Sequence, residues 1–528
     1  MSASSKKKLR AEENAAKLTE RQLAQMKEDQ KTRLYTIGFV AVLVLLVVVA
    51  AVIGVTRAVA NSGVRERKTI AAYVDDTALS NEELGYYFVD AVNSFYSQNS
   101  AYLSLFGLDT TVALDQQVYN GETGQTWADY FLTSAAENAK AMYTLCREAE
   151  ANGYQLPQES EEQISSASSN IELYAQLYGY NKAEDYLKAM YGKGASMEGY
   201  QNYLRTNLIA SGYQEAYVES LSFSDEDLQA RDSENPLVYN SYSYNQYYLS
   251  AARYLDDEAS NEEKLAAAEA DAKALTGEDI QTVEDLDKAI AALSINADTE
   301  VASSAMENVR YTGLNSVVAD WVSDSARKAG DKVYLPSTTT TTDENGQEVE
   351  SISGYYVVYY LSSTDNRSPL VNVRHILVGL DNGDQATEEE KTAAKQKAEE
   401  LLAQWKQGEA TEESFAALVH DNTDDSGSQE NGGLYENVYP GQMVSAFNNW
   451  CFDDSRKPGD TGIVETSYGY HVMYFVGQSA ETYREYLIRT DLQNEAYTSW
   501  YNALVDNVTL TMGDTSYIRT DLVLSSNG

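Results

Sequence analysis

The chain holds three histidines in 528 residues, and two of them sit among apolar neighbours. His375 lies midway along VNVRHILVGL, and His471 lies in GYHVMYFV, which opens at Gly469. Both segments are rich in β-branched and aromatic residues and read as strands. A neutral imidazole donates at one ring nitrogen and accepts at the other. A lone buried histidine is more often a satisfied core residue than a reagent. Two of them, each inside a strand of this kind, raise a second reading, a small polar network in apolar surroundings. The third, His420, precedes DNTDD at a helix end and reads as a surface residue, so a three-histidine zinc site is not expected. NGGL lacks the lysine and helix start of a phosphate loop. We expect neither a metal nor a cofactor.

The elements that must position these residues occur twice. WVSDSARKAGD (321–331) is matched by WCFDDSRKPGD (450–460), and GYYVVYYL from Gly354 by GYHVMYFV from Gly469. Ahead of each pair lies a strand-like run and an Ala/Glu/Lys-rich helix: NQYYLSA with SNEEKLAAAEADAKAL, then NVRHILV with TEEEKTAAKQKAEELLAQW. Four ordered matches indicate two tandem copies of one domain, each of about 120 residues. In the first copy Tyr247 falls where His375 sits and Tyr356 where His471 sits, and the polar insertion STTTTTDENGQE widens its hairpin. That copy reads as a scaffold without the site.

The second copy runs VRHILV, an amphipathic helix, SFAALVHDNTDDSGSQENGGLYENVYPGQMVSAFNNWCF and RKPGDTGIVETSYGYHVMYF. In order and spacing it resembles the parvulin-type peptidyl-prolyl isomerases. The resemblance covers about 110 residues, and it implies the residue roles. His375 and His471 match the facing histidines, Asp425 the family's Asp/Cys position and Thr466 the threonine of the last strand. Leu434, Met443 and Phe447 match the apolar shelf for the proline ring, and Tyr468 and Tyr470 the aromatic positions beside Gly469. Two departures stand out: Tyr435 follows Leu434 where glycine is common, and Thr423 replaces the usual serine. The implied chemistry is rotation about an X-Pro bond, whose barrier of roughly 18–20 kcal/mol is held up by amide resonance. An isomerase lowers it by binding the twisted amide better than either planar form.

Elsewhere the sequence sets the context. The formal charge is −42, while residues 1–33 carry nine Lys/Arg against five Asp/Glu. So acidic a surface repels phosphate backbones and argues against a nucleic-acid partner. LYTIGFVAVLVLLVVVAAVIGV (34–55) has no charge and is long enough for a membrane span. We expect a signal anchor at 34–57, with the basic tail 1–33 inside and the acidic bulk outside; cleavage after Ala60, in Ala58-Val59-Ala60, is the alternative. Cys146 and Cys451 could form one bridge at most, and free thiols are the expectation. Ser80 followed by Glu83 marks a helix start, and helical spacing continues to about residue 220 in a tyrosine-rich region whose hydroxyls are expected at the surface. The expected fold class is α+β multidomain: a helical chaperone-like region at 58–235, a degenerate parvulin-like domain at 236–365, a parvulin domain at 366–479, and a C-terminal helix and tail at 480–528 packing on the helical region. That layout resembles the SurA-like and PrsA-like extracytoplasmic foldases. It implies unfolded exported polypeptides with X-Pro bonds as partners. The acidic loop GLDNGDQATEEEK favours neutral or cationic clients over phosphopeptides. The rival reading is a non-catalytic holdase using parvulin domains as peptide-binding modules.

Overall fold

The architecture was obtained as a computed structural model, which describes residues 4–11, 42–56, 59, 62–254, 259–296, 301–342, 347–380 and 383–524. Two compact units emerge: residues 222–495, and residues 1–221 together with 496–528.

Unit 222–495 is built on two four-stranded antiparallel sheets. The first contains β1 (Ser241–Ser250), β2 (Ser304–Arg310), β3 (Lys332–Thr342) and β4 (Glu348–Thr364) in the order β2-β1-β4-β3. The second contains β5 (Pro369–Gly379), β6 (Leu434–Val438), β7 (Thr461–Thr466) and β8 (Gly469–Thr482) in the order β6-β5-β8-β7. Both sheets therefore share one topology. In the second, the helices Glu388–Gln407 and Glu412–Asn422 start at capping boxes on Thr387 and Thr411. They bury Trp405 and Phe415 against Ile376, Tyr470, Val472 and Tyr474. The opposite face carries Val371, Val373, Met473 and Phe475, covered by Phe447 and Cys451 of the helix Ser445–Cys451. Successive strand residues point to opposite faces. His375 and His471 thus fall on the second face, while Arg374 falls on the first.

The same periodicity corrects one expectation about the first copy. On β5 and β8, Met473 pairs with His375; on β1 and β4, the corresponding Val358 pairs with Gln246. Gln246, not Tyr247, is the counterpart of His375. Tyr247 lies on the helix-covered face with Leu249 and Val357, and its hydroxyl donates to Asn296 at 3.2 Å. A one-residue slip in register exchanges the two faces, which is why matching strings of letters misplaced it. Tyr356 does lie at the position of His471, within the cluster of Tyr244 and Val358.

The other unit packs the helices Asn81–Asn99, Trp127–Ala151, Gln158–Leu177, Ala183–Tyr191 and Met197–Ser220 with a small sheet. Ser80 and Glu83 form the capping box that opens the first of these helices. In the sheet, Ile70–Val74 pairs with Thr77–Ser80 on one side and with Leu510–Met512 on the other. Trp127, Phe131, Phe88 and Leu84 fill the core. Trp500, near the end of helix Tyr483–Val505, stacks on Tyr217 at 3.9 Å. Not every tyrosine keeps its hydroxyl at the surface. Tyr86 is fully buried among Tyr191, Tyr200 and Tyr203, with ring centroids 5.0–5.9 Å away. Ser196 and Glu82 satisfy its hydroxyl.

The membrane expectation does not survive. Of the apolar run, residues 34–41 lie outside the described residues, as do residues 12–33 of the basic tail and Ala58 and Ala60 of the cleavage pattern. Residues 42–56 are helical. Among the described residues no helix is long and apolar enough to cross a membrane. The transmembrane helix at 34–57, and the single-pass placement with the N-terminus inside, are accordingly withdrawn. The fold is a mixed α/β multidomain chain with a helical region and β-rich domains.

Candidate active site

β5 and β8 are the two central strands of their sheet, and they bring both histidines to one face. His375 Nδ1 lies 3.1 Å from His471 Nδ1. His375 Nε2 lies 3.0 Å from Asp425 Oδ2, and His471 Nε2 lies 2.9 Å from Thr466 Oγ1. Four side chains thus form one continuous hydrogen-bonded chain. The histidines are 2% and 6% exposed, so water competes little for them.

The loop after helix Glu412–Asn422 is held in place by several bonds. Thr423 Oγ1 accepts from the backbone N–H of Leu377 and of Asp425, at 3.1 and 3.2 Å, which fastens the loop to β5. Arg374, on the other face, ion-pairs with Glu412 at 2.9 Å and donates to the carbonyls of Asn431 and Gly432. The neighbouring Arg374 and His375 therefore do different work: one clamps the loop and the other enters the site. Gly433, at φ +73°, accepts the His375 backbone N–H at 2.9 Å. A Cβ there would collide with the His375 carbonyl oxygen, so glycine is required both by conformation and by space.

Electrostatics favour neutral imidazoles. Burial pushes His471 from 6.5 down to about 4, with further lowering from His375. Burial also lowers His375, against the pull of Asp425. Burial opposes ionisation of Asp425, but the hydroxyls of Ser428 and Tyr435 outweigh it and hold its carboxyl below the usual range. An ionised Asp425 only accepts hydrogen bonds, and this sets the chain's direction. His375 donates from Nε2 to Asp425, His471 donates from Nδ1 to His375 Nδ1, and Thr466 donates to His471 Nε2.

Above this floor lies a cavity of about 320 Å³ lined by His375, His471, Asp425, Tyr435, Met443, Phe447 and Tyr468, with Leu377, Gln442 and Val444. Phe447 stands edge-on to both imidazoles, at 5.6 and 5.3 Å. Tyr468 is 62% exposed and forms the rim. Leu434 pairs with Arg374 in the sheet and is not among the lining residues; Tyr435 takes that wall. Tyr470 lies on the helix-covered face, away from the histidines. His420 is exposed and contacts Asp421, apart from the cavity. Among the described residues no group of three or more His, Cys, Asp or Glu is arranged to hold a metal.

Residues 355–478 match the family model described as the PPIC-type PPIASE domain. The chain carries a parvulin-type peptidyl-prolyl isomerase domain. Over 150 residues it is 33% identical to a protein named Chaperone SurA from Chromohalobacter salexigens, covering 26% of this chain and 30% of that protein. Over 108 residues it is 33% identical to Foldase protein PrsA 1 from Listeria innocua, covering 20% and 31%. The chain therefore spans less than a third of the length of these relatives. Among solved structures, a peptidylprolyl isomerase (PrsA) from Bacillus anthracis aligns with 27% of this chain and 59% of its own, at 22% identity and a TM-score of 0.18.

Sequence reasoning passed over Ser428 and gave Tyr435 no role in the site. Ser428 Oγ donates to Asp425 Oδ2, and Tyr435 donates to the same oxygen at 2.8 Å. A signal for Ser428 existed: a serine three residues after an aspartate in a glycine-containing loop is well placed to bond back to that carboxylate.

Proposed function

We propose that this chain is a peptidyl-prolyl cis-trans isomerase and foldase, acting on unfolded or partly folded exported polypeptides that contain X-Pro bonds. The observation that carries the reading is the unbroken chain Asp425–His375–His471–Thr466 at the floor of an apolar cavity. In this reading the proline ring rests against Met443 and Phe447, with Tyr468 at the rim. The carbonyl before proline rotates over the imidazoles. As the amide twists it loses conjugation and its nitrogen becomes more basic. A neutral hydrogen-bonding network, already in place and shielded from water, stabilises that altered charge distribution more than it does the planar forms. No covalent intermediate is needed.

The domain assignment proposed with this function is a helical region at 58–235, a site-less parvulin-like domain at 236–365, the isomerase domain at 366–479, and a C-terminal segment at 480–528. Exported clients are proposed from the likeness to the SurA-like and PrsA-like foldases. One observation favours the rival, a holdase that only binds: the first sheet carries Gln246 and Tyr356 where the second carries histidines.

Refolding of a client limited by X-Pro isomerisation separates the two. Such phases last tens to hundreds of seconds without a catalyst. The full chain should shorten the slow phase at substoichiometric concentration, and the His375→Ala/His471→Ala double variant should not. A slow phase unaffected by the unaltered chain, with aggregation still suppressed, would favour the holdase.

A further inference from the structure

The site contains one side chain that the isomerase reading leaves without a task. Tyr435 sits on the edge strand β6, its ring 4.7 Å from the His375 ring and 6.3 Å from that of Phe447. Its hydroxyl reaches across to Asp425 Oδ2 at 2.8 Å. Resting on the isomerase reading, we propose that Tyr435 is a positioning residue: its hydroxyl keeps Asp425 an acceptor and so fixes the direction of donation along His375, His471 and Thr466.

The chain can be satisfied in two directions, which is why something must choose. With Asp425 ionised, donation runs from Thr466 through His471 and His375 to the carboxylate. With Asp425 protonated, its own O–H would donate to His375 Nε2, His375 to His471, and His471 Nε2 to Thr466. The last hydroxyl then needs another acceptor, and the Gly469 carbonyl is 3.4 Å from Thr466 Oγ1. Reversal swaps the polarity that both imidazoles present to the cavity without breaking any contact.

Asp425 Oδ2 receives three groups at once, from His375, Ser428 and Tyr435, while Oδ1 receives the Gly427 N–H at 3.2 Å. Ser428 is an ambiguous guide, because its Oγ also lies 3.4 Å from His375 Nε2 and can turn towards it. Tyr435 is the firmer donor. Burial, reinforced by Asp425, raises its hydroxyl to about 12, so it keeps its proton throughout the working range. The titratable groups facing Asp425 are His375 on β5, His471 on β8 and Tyr435 on β6. Asp424, beside it, is turned to the Gly379 N–H at 2.8 Å.

The test compares full-length chain with Tyr435→Phe, which removes only the hydroxyl. ¹⁵N-histidine labelling gives the tautomer at each ring, and kcat/KM is measured from pH 3 to 8, so that the window includes the range below 3.8 where Asp425 titrates. In the unaltered chain at pH 7 His375 should carry its single proton at Nε2 and His471 at Nδ1. In Tyr435→Phe the acid limb of kcat/KM should move up by about one pH unit, with mixed tautomers appearing over the same interval. Superimposable tautomers and superimposable acid limbs would overturn the proposal. If the phenylalanine variant loses its native histidine signals, Tyr435→Leu is read in the same way. An unaltered chain with ordered tautomers but no isomerase activity at any pH would remove the catalytic reading while leaving the tautomer comparison as the test of Tyr435.

Discussion

Acidification should destabilise the histidine-bearing domain by an amount that can be worked out from one residue. His471 is buried, and its imidazole titrates at about 4 instead of 6.5. A folded value below the unfolded one means that the unfolded chain binds the proton first, so stability is lost as pH falls below 6.5. With 6.5 unfolded and 4 folded, moving from pH 7 to pH 5 costs about 2 kcal/mol, and the full loss well below pH 4 approaches about 3.4 kcal/mol. His375 shifts in the same direction and adds to the loss. Asp425, also lowered, contributes in the same sense but only below the ordinary carboxylate range. Selective ¹⁵N-histidine labelling suits the measurement, since only three residues give signals. Urea titrations at pH 7 and pH 5, followed by the native His375 and His471 signals in the full chain, should differ by about 2 kcal/mol or more. In His471→Asn most of the difference should vanish. Equal stabilities at the two pH values, or the His471 imidazole titrating near 6.5, would refute the neutral-pair reading of the site.

Three further outcomes follow from the same geometry. His375→Ala and His471→Ala should each lower kcat/KM by about 10- to 100-fold, equivalent to roughly 1.4–2.8 kcal/mol, and the double variant should be far from additive because the pair acts as one unit; full activity in a folded single variant would contradict this. Gly433→Ala should cost at least about 2 kcal/mol in urea unfolding, from its left-handed backbone and the encroachment on the His375 carbonyl; unchanged stability would show that the β5–β6 junction is not so constrained. Met443→Ala should chiefly raise KM, since contact with a proline ring is shared by ground and transition states, whereas a selective fall in kcat would give Met443 a different role.

Much of the site was legible because its chemistry is compressed into short strings. RHILV and GYHVMYF each place a histidine in an alternating strand, and alternation alone puts His375 and Arg374 on opposite faces; that His471 shares the face of His375 follows only from the pairing of β5 with β8. The helix start at Ser80 was legible too, since a capping box needs only two residues at fixed spacing. What failed was whatever depended on register or on partners distant in sequence. The Tyr247 assignment failed by a single residue, because the pairing of β1 with β4 cannot be read from β1. Leu434 was placed at the cavity by analogy, and its neighbour Tyr435 lines it instead. Ser428 was passed over because its importance arises only when the loop returns to β5. The apolar run at 34–55 was judged by composition and length, whereas among the described residues no helix is long and apolar enough to cross a membrane.

The central claim is that the paired histidines accelerate rotation about an X-Pro bond. Two-dimensional exchange NMR on a short proline peptide, with and without catalytic amounts of the full chain, tests it most directly. Cis–trans exchange cross-peaks are expected with the unaltered chain and their loss in His375→Ala/His471→Ala, with the double variant's sheet still folded by amide signals. Cross-peaks of equal intensity with both proteins would contradict it, as would none with either.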